Sequence, residues 1–436
     1  MTNQRGKVRA LAVMAALCTL TALSGQGARA ANGPQLHRPS RAESPYRYDP
    51  HAQPVTGAAT GQDAPRLAAG TVYRSAVGPG AKAYFQVDLG GSGDAYVSAV
   101  AVPKPDAVVA FGDGIELTLQ DRDGNTCDTG RAAFGPAEYA RPIAAYVSRG
   151  LAANRTSCQA AGTYYVLVQR IGDGASAPGA WGLELRYAKE PGLRADEATT
   201  APTRWPTASP PAPSSAARTA HGGTGFADAP RLAGGAWRDT LRPGSTLFYR
   251  VPVGWGQQIF AGAELGRAGR SGYVAQAIDL QLYNPALGPV ADVYTGYDGT
   301  PASVAFQPLP AVDYRNRHST SAQVGALRFD GDYYLALSLS PKVARTLGAG
   351  AYPVTIRLGV RGKAGPAPAY DGAAPDFASS GRTSAPTPGA VGPSRHDGGS
   401  TGMRLLAAGG IGTGTLLVLW LGVRTLVARR RAGAVG

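Results

Sequence analysis

The chain has 436 residues, a formal net charge of +14 at pH 7, and 60 glycine and 34 proline residues. This length is sufficient for two or more domains that each bury a hydrophobic core. Arginine and lysine residues clustered at the two ends of the chain contribute much of the positive charge. The charge therefore does not indicate a nucleic-acid partner.

The N-terminal end has the pattern of a secretory signal peptide at residues 1–30. Three basic residues precede an apolar stretch at residues 10–23, and the small-residue sequence Ala28-Arg29-Ala30 follows it. This order is typical of a signal peptide that is removed from the mature protein. Residues 31–60 are polar, contain proline and lack periodicity, which predicts a disordered lead-in.

One short sequence occurs twice in the chain. DAPRLAAG at residues 63–70 recurs as DAPRLAGG at residues 228–235. A repeat with so long a period indicates two copies of one domain rather than a solenoid of short units. We predict the copies at residues 61–188 and 225–362. The proline and glycine of the repeated sequence suit a turn and its leucine suits a core position, so we interpret it as structural.

Both copies show a period-two alternation of apolar and polar residues, which predicts β-strands with one buried face. The apolar positions are Phe85, Val87, Leu89, Ile115, Leu117, Leu119, Tyr164, Val166, Val168, Trp181, Leu183, Leu185 and Tyr187 in the first copy, and Tyr249, Val251, Val253, Ile278, Leu280, Leu282, Tyr333, Leu335, Leu337, Tyr352, Val354, Ile356 and Leu358 in the second. The predicted fold class is all-β, with two tandem antiparallel β-sandwich (jelly-roll-like) domains and one C-terminal transmembrane helix.

The cysteines predict one disulfide bond. Cys18 falls within the predicted signal peptide, which leaves Cys127 and Cys158 as a pair in an oxidising compartment. On the chain-entropy model this bond stabilises the fold by about 3–4 kcal/mol. The second copy has no cysteine, so we expect the bond to hold a feature of the first copy alone, the stretch 131–157.

Two stretches rich in proline, alanine, serine and threonine lie outside the predicted domains. Residues 189–224 predict a semi-extended linker, and residues 363–403 predict a disordered stalk. An apolar segment at residues 404–427 has the length of one membrane crossing, and the arginine-rich tail at residues 428–436 predicts a cytoplasmic C terminus. We therefore expect a single-pass cell-membrane protein with its N terminus outside the cell.

The sequence does not carry the common enzyme motifs. It has no G-x-S-x-G elbow, no HExxH and no glycine-rich phosphate loop. Of its five histidines only His318 falls in a predicted domain, within a polar loop where a solvent-facing role is the more common one. We therefore predict a non-enzymatic protein without catalytic residues.

The best candidate for a metal site is the acidic turn at residues 121–125. The side chains of Asp121, Asp123 and Asn125 offer the oxygen ligands that calcium prefers. The same sequence is also an ordinary hairpin turn, and the second copy has Asn284-Pro285-Ala286-Leu287 there, without acidic residues. We favour the turn, with calcium binding as the alternative and no other cofactor.

Three aromatic residues are the predicted binding residues. Tyr294, Tyr297 and Tyr314 lie in a stretch of the second copy, residues 284–326, that we expect to be rich in loops. Exposed aromatic rings stack on sugars or anchor protein partners. Packing within the domain is the alternative for each of the three.

The order of features in each copy resembles the bacterial pre-peptidase C-terminal family of β-sandwich modules. The resemblance rests on D-A-P-x-L-x-x-G, a strand, x-P-G and then an aromatic-rich strand, and it covers both copies. It implies accessory or binding modules. The alanine- and arginine-rich composition is in addition typical of an actinobacterial protein.

Together these features predict a membrane-anchored cell-surface protein that presents two binding modules. The expected partners are the membrane, through the C-terminal helix, and an envelope glycan or an envelope protein. One alternative is an accessory subunit of a secretion or protease complex. Another is a hydrolase with an unrecognised site.

Overall fold

The computed structural model describes residues 46–151, 157–172, 178–194, 198–209, 216–375 and 377. The strands of the first copy are β1 (Gln53–Pro54), β2 (Val72–Val77), β3 (Lys82–Leu89), β4 (Asp94–Val102), β5 (Gly114–Asp121), β6 (Thr126–Ala133), β7 (Ile143–Arg149), β8 (Gly162–Ile171) and β9 (Trp181–Glu190). Those of the second copy are β10 (Arg218–Thr219), β11 (Gly235–Leu241), β12 (Thr246–Val253), β13 (Gln258–Leu265), β14 (Val274–Tyr283), β15 (Pro289–Tyr297), β16 (Ala302–Ala305), β17 (Gly331–Leu339) and β18 (Tyr352–Arg361). Short 3₁₀ helices lie at Gly135–Ala137 and Tyr314–His318, and α-helices at Ala322–Gly325 and Lys342–Thr346.

Each copy is a sandwich of two sheets, and the two copies share one strand order. In the first copy, sheet A1 has the order β1-β2-β9-β4-β7 and sheet B1 has the order β3-β8-β5-β6. In the second, sheet A2 has the order β10-β11-β18-β13-β16 and sheet B2 has the order β12-β17-β14-β15. β1 and β10 pair in parallel with β2 and β11, and the other ladders are antiparallel. Apart from the two-residue strands β1 and β10, each copy has eight strands in two facing sheets, which is the architecture of a jelly roll. The predicted tandem β-sandwich fold is therefore confirmed.

The alternation seen in the sequence places one apolar face of each sheet in a core. Phe85 and Ile115 are fully buried in the first sandwich, as are Val251 and Leu282 in the second. Successive side chains of a strand point to opposite faces, so alternate apolar residues pack against the facing sheet. All the apolar positions predicted from the alternation are buried.

The repeated sequence leads into the first long strand of each sandwich, β2 or β11, as the sequence predicts. Leu67 and Leu232 are 2% and 3% exposed. The main-chain N–H of Leu67 donates to the carbonyl of Gln86, and that of Leu232 to the carbonyl of Arg250, each at 2.8 Å. Gly70 has φ of 75° in the turn that leads into β2, a conformation that favours glycine.

Cys127 and Cys158 form the predicted disulfide, with their Cα atoms 5.7 Å apart. The bond joins the start of β6 to the segment that precedes β8. The stretch 131–157 is less particular to the first copy than the sequence suggests, because it contains β7, whose counterpart in the second copy is β16. The bond therefore closes a loop within a framework that both copies share.

Parts of the predicted lead-in, linker and stalk pack on the sandwiches. The lead-in contributes β1, and the side-chain amide of Gln258 donates to the carbonyl of the linker residue Pro206 at 2.9 Å. The N–H of Asp371, after the second sandwich, donates to the carbonyl of Gly192 at 2.7 Å. The described parts of these segments take fixed positions, despite a composition typical of disorder, because their polar main-chain groups find partners on the sandwiches and on each other.

Candidate functional site

The two sandwiches pack against each other, because the outer face of sheet A1 contacts the outer face of sheet B2. The apolar part of this contact consists of Val100, Ala144, Phe226, Ala229, Phe248, Tyr283, Leu287, Tyr334 and Ala336, all of them buried. Sheets A1 and B2 are thus covered on both faces. The two sandwiches thus place their four sheets in one stack, with B1 and A2 at its two ends.

A cluster of aromatic rings extends this apolar contact. The ring centroid of Tyr96 on β4 lies 4.9 Å from that of Phe329 and 5.7 Å from that of Phe377, in edge-to-face arrangements. Gly288 lies against Tyr146 so closely that a Cβ atom there would be 2.3 Å from the ring. Edge-to-face pairs of this kind contribute about 0.5–1.5 kcal/mol each beyond their buried area. The relative position of the sandwiches is therefore fixed by close packing.

A buried arginine of the second sandwich joins two carboxylates of the first. Arg317 Nη1 lies 2.8 Å from Asp94, and Nη2 lies 2.9 and 3.0 Å from the oxygens of Glu190. Glu190 also accepts hydrogen bonds from the hydroxyls of Tyr96 and Tyr370, at 2.7 and 2.8 Å. Burial alone would lower the pKa of Arg317, but Tyr96, Glu190 and Asp94 raise it. The charged form is therefore the one this site stabilises.

A second buried ion pair crosses the interface between Arg141 and Asp279. Their side chains are 4% and 5% exposed, and Arg141 Nη2 lies 2.9 Å from Asp279 Oδ2. Burial raises the pKa of Asp279, and Arg141 only partly opposes that rise. Arg141 Nε and Asp279 Oδ1 have no hydrogen-bond partner among the described residues although both are buried. Polar atoms left in this state are costly, at about 1–3 kcal/mol each.

A cleft of about 290 Å³ opens beside this ion pair, at the β7 edge of the interface. We call it the tyrosine cleft; its polar lining consists of Arg131, Arg141, Asp279, Gln281, Tyr283, Asp292, Tyr294 and Gln323. Across the β14–β15 ladder, Asp279 is paired with Tyr294 and Gln281 with Asp292. Directly paired residues lie on the same face of a sheet, which is why these four side chains meet in one cleft.

The lining of the tyrosine cleft combines balanced charge with an open aromatic ring. Two arginines face two aspartates, so the cleft has no net charge. Tyr294 is 46% exposed, and the amides of Gln281 and Gln323 each provide donors and an acceptor. Chemically, the cleft can hold an uncharged ligand that has many hydroxyl groups and one apolar face.

The three tyrosines predicted to bind a partner lie in three different environments in the structure. Tyr294 lines the tyrosine cleft. Tyr297 is 1% exposed in the core of the second sandwich, and its hydroxyl donates to the carbonyl of Gly266. Tyr314 lies under Arg317 in the interface, with the guanidinium carbon 3.4 Å from the ring centroid. The stretch expected to consist largely of loops includes β15, and the strand directs Tyr297 into the core.

The acidic turn of the first copy has the hydrogen bonds of an ordinary hairpin turn. Asp121 Oδ1 accepts from the main-chain N–H groups of Asp123 and Asn125, at 3.0 and 2.9 Å, and Oδ2 accepts from the Asn125 side chain at 3.0 Å. Burial raises the pKa of Asp121, but these hydrogen bonds together lower it by more, so the net shift is downward. Within the described ranges no group of three or more His, Cys, Asp or Glu side chains is placed to hold a metal. Calcium binding here stays a prediction.

The interface and its clefts are the features that sequence analysis missed. Outward positions of the strands were expected to face solvent, yet Phe248, Tyr283 and Tyr334 occupy such positions in sheet B2 and are buried. Apolar residues on both faces of a strand are typical of a sheet covered on both sides. That signal is present in the sequence of the second copy, and it identifies the covered sheet without identifying what covers it.

Comparisons with known proteins leave the chain without a family. No protein-family model matches it, and no curated protein matches it. It is similar to the CUB1-EGF-CUB2 domain of human MASP-1/3 (6% identity, 66% of this chain and 99% of that chain covered, TM-score 0.16). It is also similar to the CBM22-1-CBM22-2 tandem domain from Paenibacillus barcinonensis Xyn10C (9%, 63% and 81%, 0.17) and to the ANX2 ectodomain from Arabidopsis thaliana (7%, 68% and 86%, 0.20). Similarities this weak carry no argument about function, and the resemblance to the pre-peptidase C-terminal family gains no family match.

The prediction of a single-pass cell-membrane protein is corrected here. In the part of the chain that the structure describes, no helix is long and apolar enough to cross a membrane. The α-helices found there, Ala322–Gly325 and Lys342–Thr346, have four and five residues, whereas a membrane crossing needs about 20. The segment at residues 404–427 on which that prediction rested, the tail after it and the predicted signal peptide at residues 1–30 lie outside the described residues.

Proposed function

We propose that this chain is a non-catalytic glycan-binding protein whose site for uncharged sugars is the tyrosine cleft. The observation that carries the proposal is the shared face of β14 and β15, where Asp279, Gln281, Asp292 and Tyr294 line one cleft between two sandwiches. Recognition of this kind needs a pre-formed concave site with a few fixed polar groups. The packed interface supplies that rigidity.

Each part of a sugar has a counterpart in the cleft. The C–H face of a pyranose ring is apolar and suits the half-exposed ring of Tyr294, while Asp292 and Gln281 suit its hydroxyl groups. The ion pair of Arg141 and Asp279, whose side chains are 4% and 5% exposed, gives the cleft a fixed polar wall.

The proposal is tested by titrating the full chain with neutral glucose-, mannose- and N-acetylglucosamine-based oligosaccharides. We expect Tyr294→Ala to weaken binding of the preferred oligosaccharide by at least tenfold, which corresponds to about 1.4 kcal/mol. Tyr273→Ala is the matched control, because Tyr273 is also an exposed tyrosine of the second sandwich, at 69%, and is not among the residues that line the cleft. It should leave affinity unchanged.

Two results would argue against the proposal. One is the absence of measurable affinity for every neutral oligosaccharide in the panel. The other is equal loss of affinity in Tyr294→Ala and Tyr273→Ala, which would place the sugar elsewhere. Asp292→Asn provides a second test, since it keeps the size of an exposed side chain and removes one charged acceptor. We expect it to weaken binding without a change in thermal stability.

A further inference from the structure

A second cleft opens between the sandwiches, on the β2 and β9 side of sheet A1, away from the tyrosine cleft at β7. It encloses about 250 Å³, and we call it the arginine cleft. Its main polar lining consists of Tyr96, Arg186, Arg231, Arg250, Asp332 and Tyr334. The first two residues belong to the first sandwich and the other four to the second. Neither sandwich alone forms this site.

The charges in and behind the arginine cleft do not balance. Arg231 Nη2 and Arg250 Nη1 lie 2.8 and 3.3 Å from the same oxygen of Asp332. Arg186 Nη2 lies 3.0 Å from Glu184, whose side chain is fully buried behind it. Three guanidinium groups therefore share two carboxylates, and one positive charge is left in excess. Arginine is the residue best suited to bind carboxylate and phosphate groups.

Three buried polar atoms of these residues have hydrogen-bonding capacity that the described residues do not use. They are the Nε atoms of Arg186 and Arg250 and the Oδ1 atom of Asp332. Arginine Nε only donates, and an ionised carboxylate only accepts. The excess positive charge and this unused capacity favour a ligand that has an oxyanion for the arginines and a hydroxyl group for Asp332.

We infer that the arginine cleft binds an acidic sugar, with its carboxylate against Arg186 and Arg250 and a ring hydroxyl donating to Asp332. The rings of Tyr96 and Tyr334 form walls for the sugar ring. A volume of about 250 Å³ lies just below the usual range for drug-sized ligands, which fits a single sugar unit. The inference is independent of the tyrosine cleft, which takes an uncharged ligand and uses other residues.

The sequence repeat provides a matched control inside the same molecule. Arg66 holds the position in DAPRLAAG that Arg231 holds in DAPRLAGG. Arg66 pairs with Asp88 on the outer face of sheet B1, and it does not line the arginine cleft. The residue beside it on the neighbouring strand is Gln86, where the second copy has Arg250. One motif position is thus in the proposed site in one copy and outside it in the other.

The inference is tested by calorimetric titration of the full chain with glucuronate, glucose and inorganic phosphate. Glucuronate and glucose share the same ring and differ in the carboxylate, whereas phosphate has charge without the ring. We expect glucuronate to bind at least tenfold more tightly than either, with an affinity that falls as salt is added. Arg231→Ala and Arg250→Gln should each lower the glucuronate affinity at least tenfold, and Arg66→Ala should change it less than twofold.

Each of the opposite outcomes overturns the inference. Equal affinity for glucose and glucuronate would remove the role of the charge, and phosphate binding as tight as glucuronate would remove the role of the sugar. An equal effect of Arg66→Ala and Arg231→Ala would place the ligand elsewhere. The side chains of Arg231 and Arg250 are 43% and 39% exposed, so both variants should fold, as thermal unfolding will check. Tyr294→Ala should leave glucuronate binding intact, which separates this test from that of the tyrosine cleft.

Discussion

The two sandwiches have the same strand order, but the outer face of sheet B1 is polar and that of sheet B2 is apolar. In sheet B1 the outward residues include Gln86, Asp88 and Gln169, which are at least partly accessible to solvent. In sheet B2 the outward residues include Phe248 and Tyr334, which are buried against the neighbouring sandwich. The strand order follows from the inner faces, which are apolar in both copies. The outer faces decide whether a sandwich ends the stack or continues it.

The turn between the fifth and sixth strands of each jelly roll shows the same contrast. In the first copy it is acidic and exposed, and Gly124 has φ of 84° there. In the second copy Leu287 takes φ of 61° at the corresponding turn and is 1% exposed within the interface. A left-handed leucine is strained by about 1–3 kcal/mol, and its burial between the sandwiches offsets that cost. The one left-handed leucine at this turn, Leu287, thus contributes to the contact between the two copies.

The largest expected effect comes from the arginine that joins the sandwiches. Arg317→Ala leaves Asp94 and Glu190 as buried charges without their cation, which should cost about 3–5 kcal/mol. Arg357→Ala is the control, because Arg357 forms its ion pair with Glu264 on the partly exposed sheet A2 and should cost no more than about 1 kcal/mol. The free energy of unfolding in urea distinguishes them. Similar costs for the two variants would mean that the interface contributes little to stability.

The next largest effect concerns the interaction that fixes the segment before β8 in the first copy and the segment before β17 in the second. In the first copy the disulfide does so, and Cys127→Ser should cost about 3–4 kcal/mol. In the second copy the fully buried Asn316 does so, with its amide donating to the carbonyls of Ala311 and Leu327, both at 2.9 Å. Asn316→Ala should cost about 1–3 kcal/mol. Thermal unfolding under non-reducing conditions measures both, and a larger loss in Asn316→Ala would reverse the assigned order.

A smaller effect is expected where the interface is tightest. Gly288→Ala places a methyl group against the Tyr146 ring of the other sandwich, and should cost about 1–3 kcal/mol. Gly112→Ala is its control, since a Cβ atom at Gly112 meets nothing within 4 Å and should change stability by less than about 0.5 kcal/mol. Urea denaturation of the two variants tests whether the close approach is real. No difference between them would show that Tyr146 is free to move aside.

The smallest expected effect is on the loss of folding stability at low pH. Hydrogen bonds from Arg315 lower the pKa of Asp313, which begins the 3₁₀ helix that carries Arg317. A lowered carboxyl pKa contributes stability that is present above the unfolded value of about 3.9 and is lost as the pH falls through the folded value. Asp313→Asn should therefore lose less stability than the wild type, by up to about 1 kcal/mol, when urea unfolding at pH 5 is compared with that at pH 2.5. Equal losses would contradict the assignment. The disulfide of the first copy has no such dependence.

The core was predictable from the sequence and the interface was not, for one physical reason. Period-two alternation shows which residues share a face of a strand. The face that contains Phe85 or Leu282 can be buried only inside its own sandwich. Tyr283 and Phe248 are also largely apolar, but they pack against the other sandwich. The local sequence pattern does not identify a partner that is distant in the sequence. Asp279 is a further example, since a polar residue at an outward position gives no sign that an arginine from the other copy will bury it.

The two sandwiches pack together as one unit, and the two clefts exist because of this packing. Lys82 on β3 and Arg238 on β11 are exposed positions on different sandwiches, suitable for a pair of spin labels. Pulsed electron–electron double resonance on the labelled full chain measures the distribution of distances between the two labels. A packed interface predicts a single narrow distribution. A broad distribution, typical of domains joined by a flexible linker, would contradict the account.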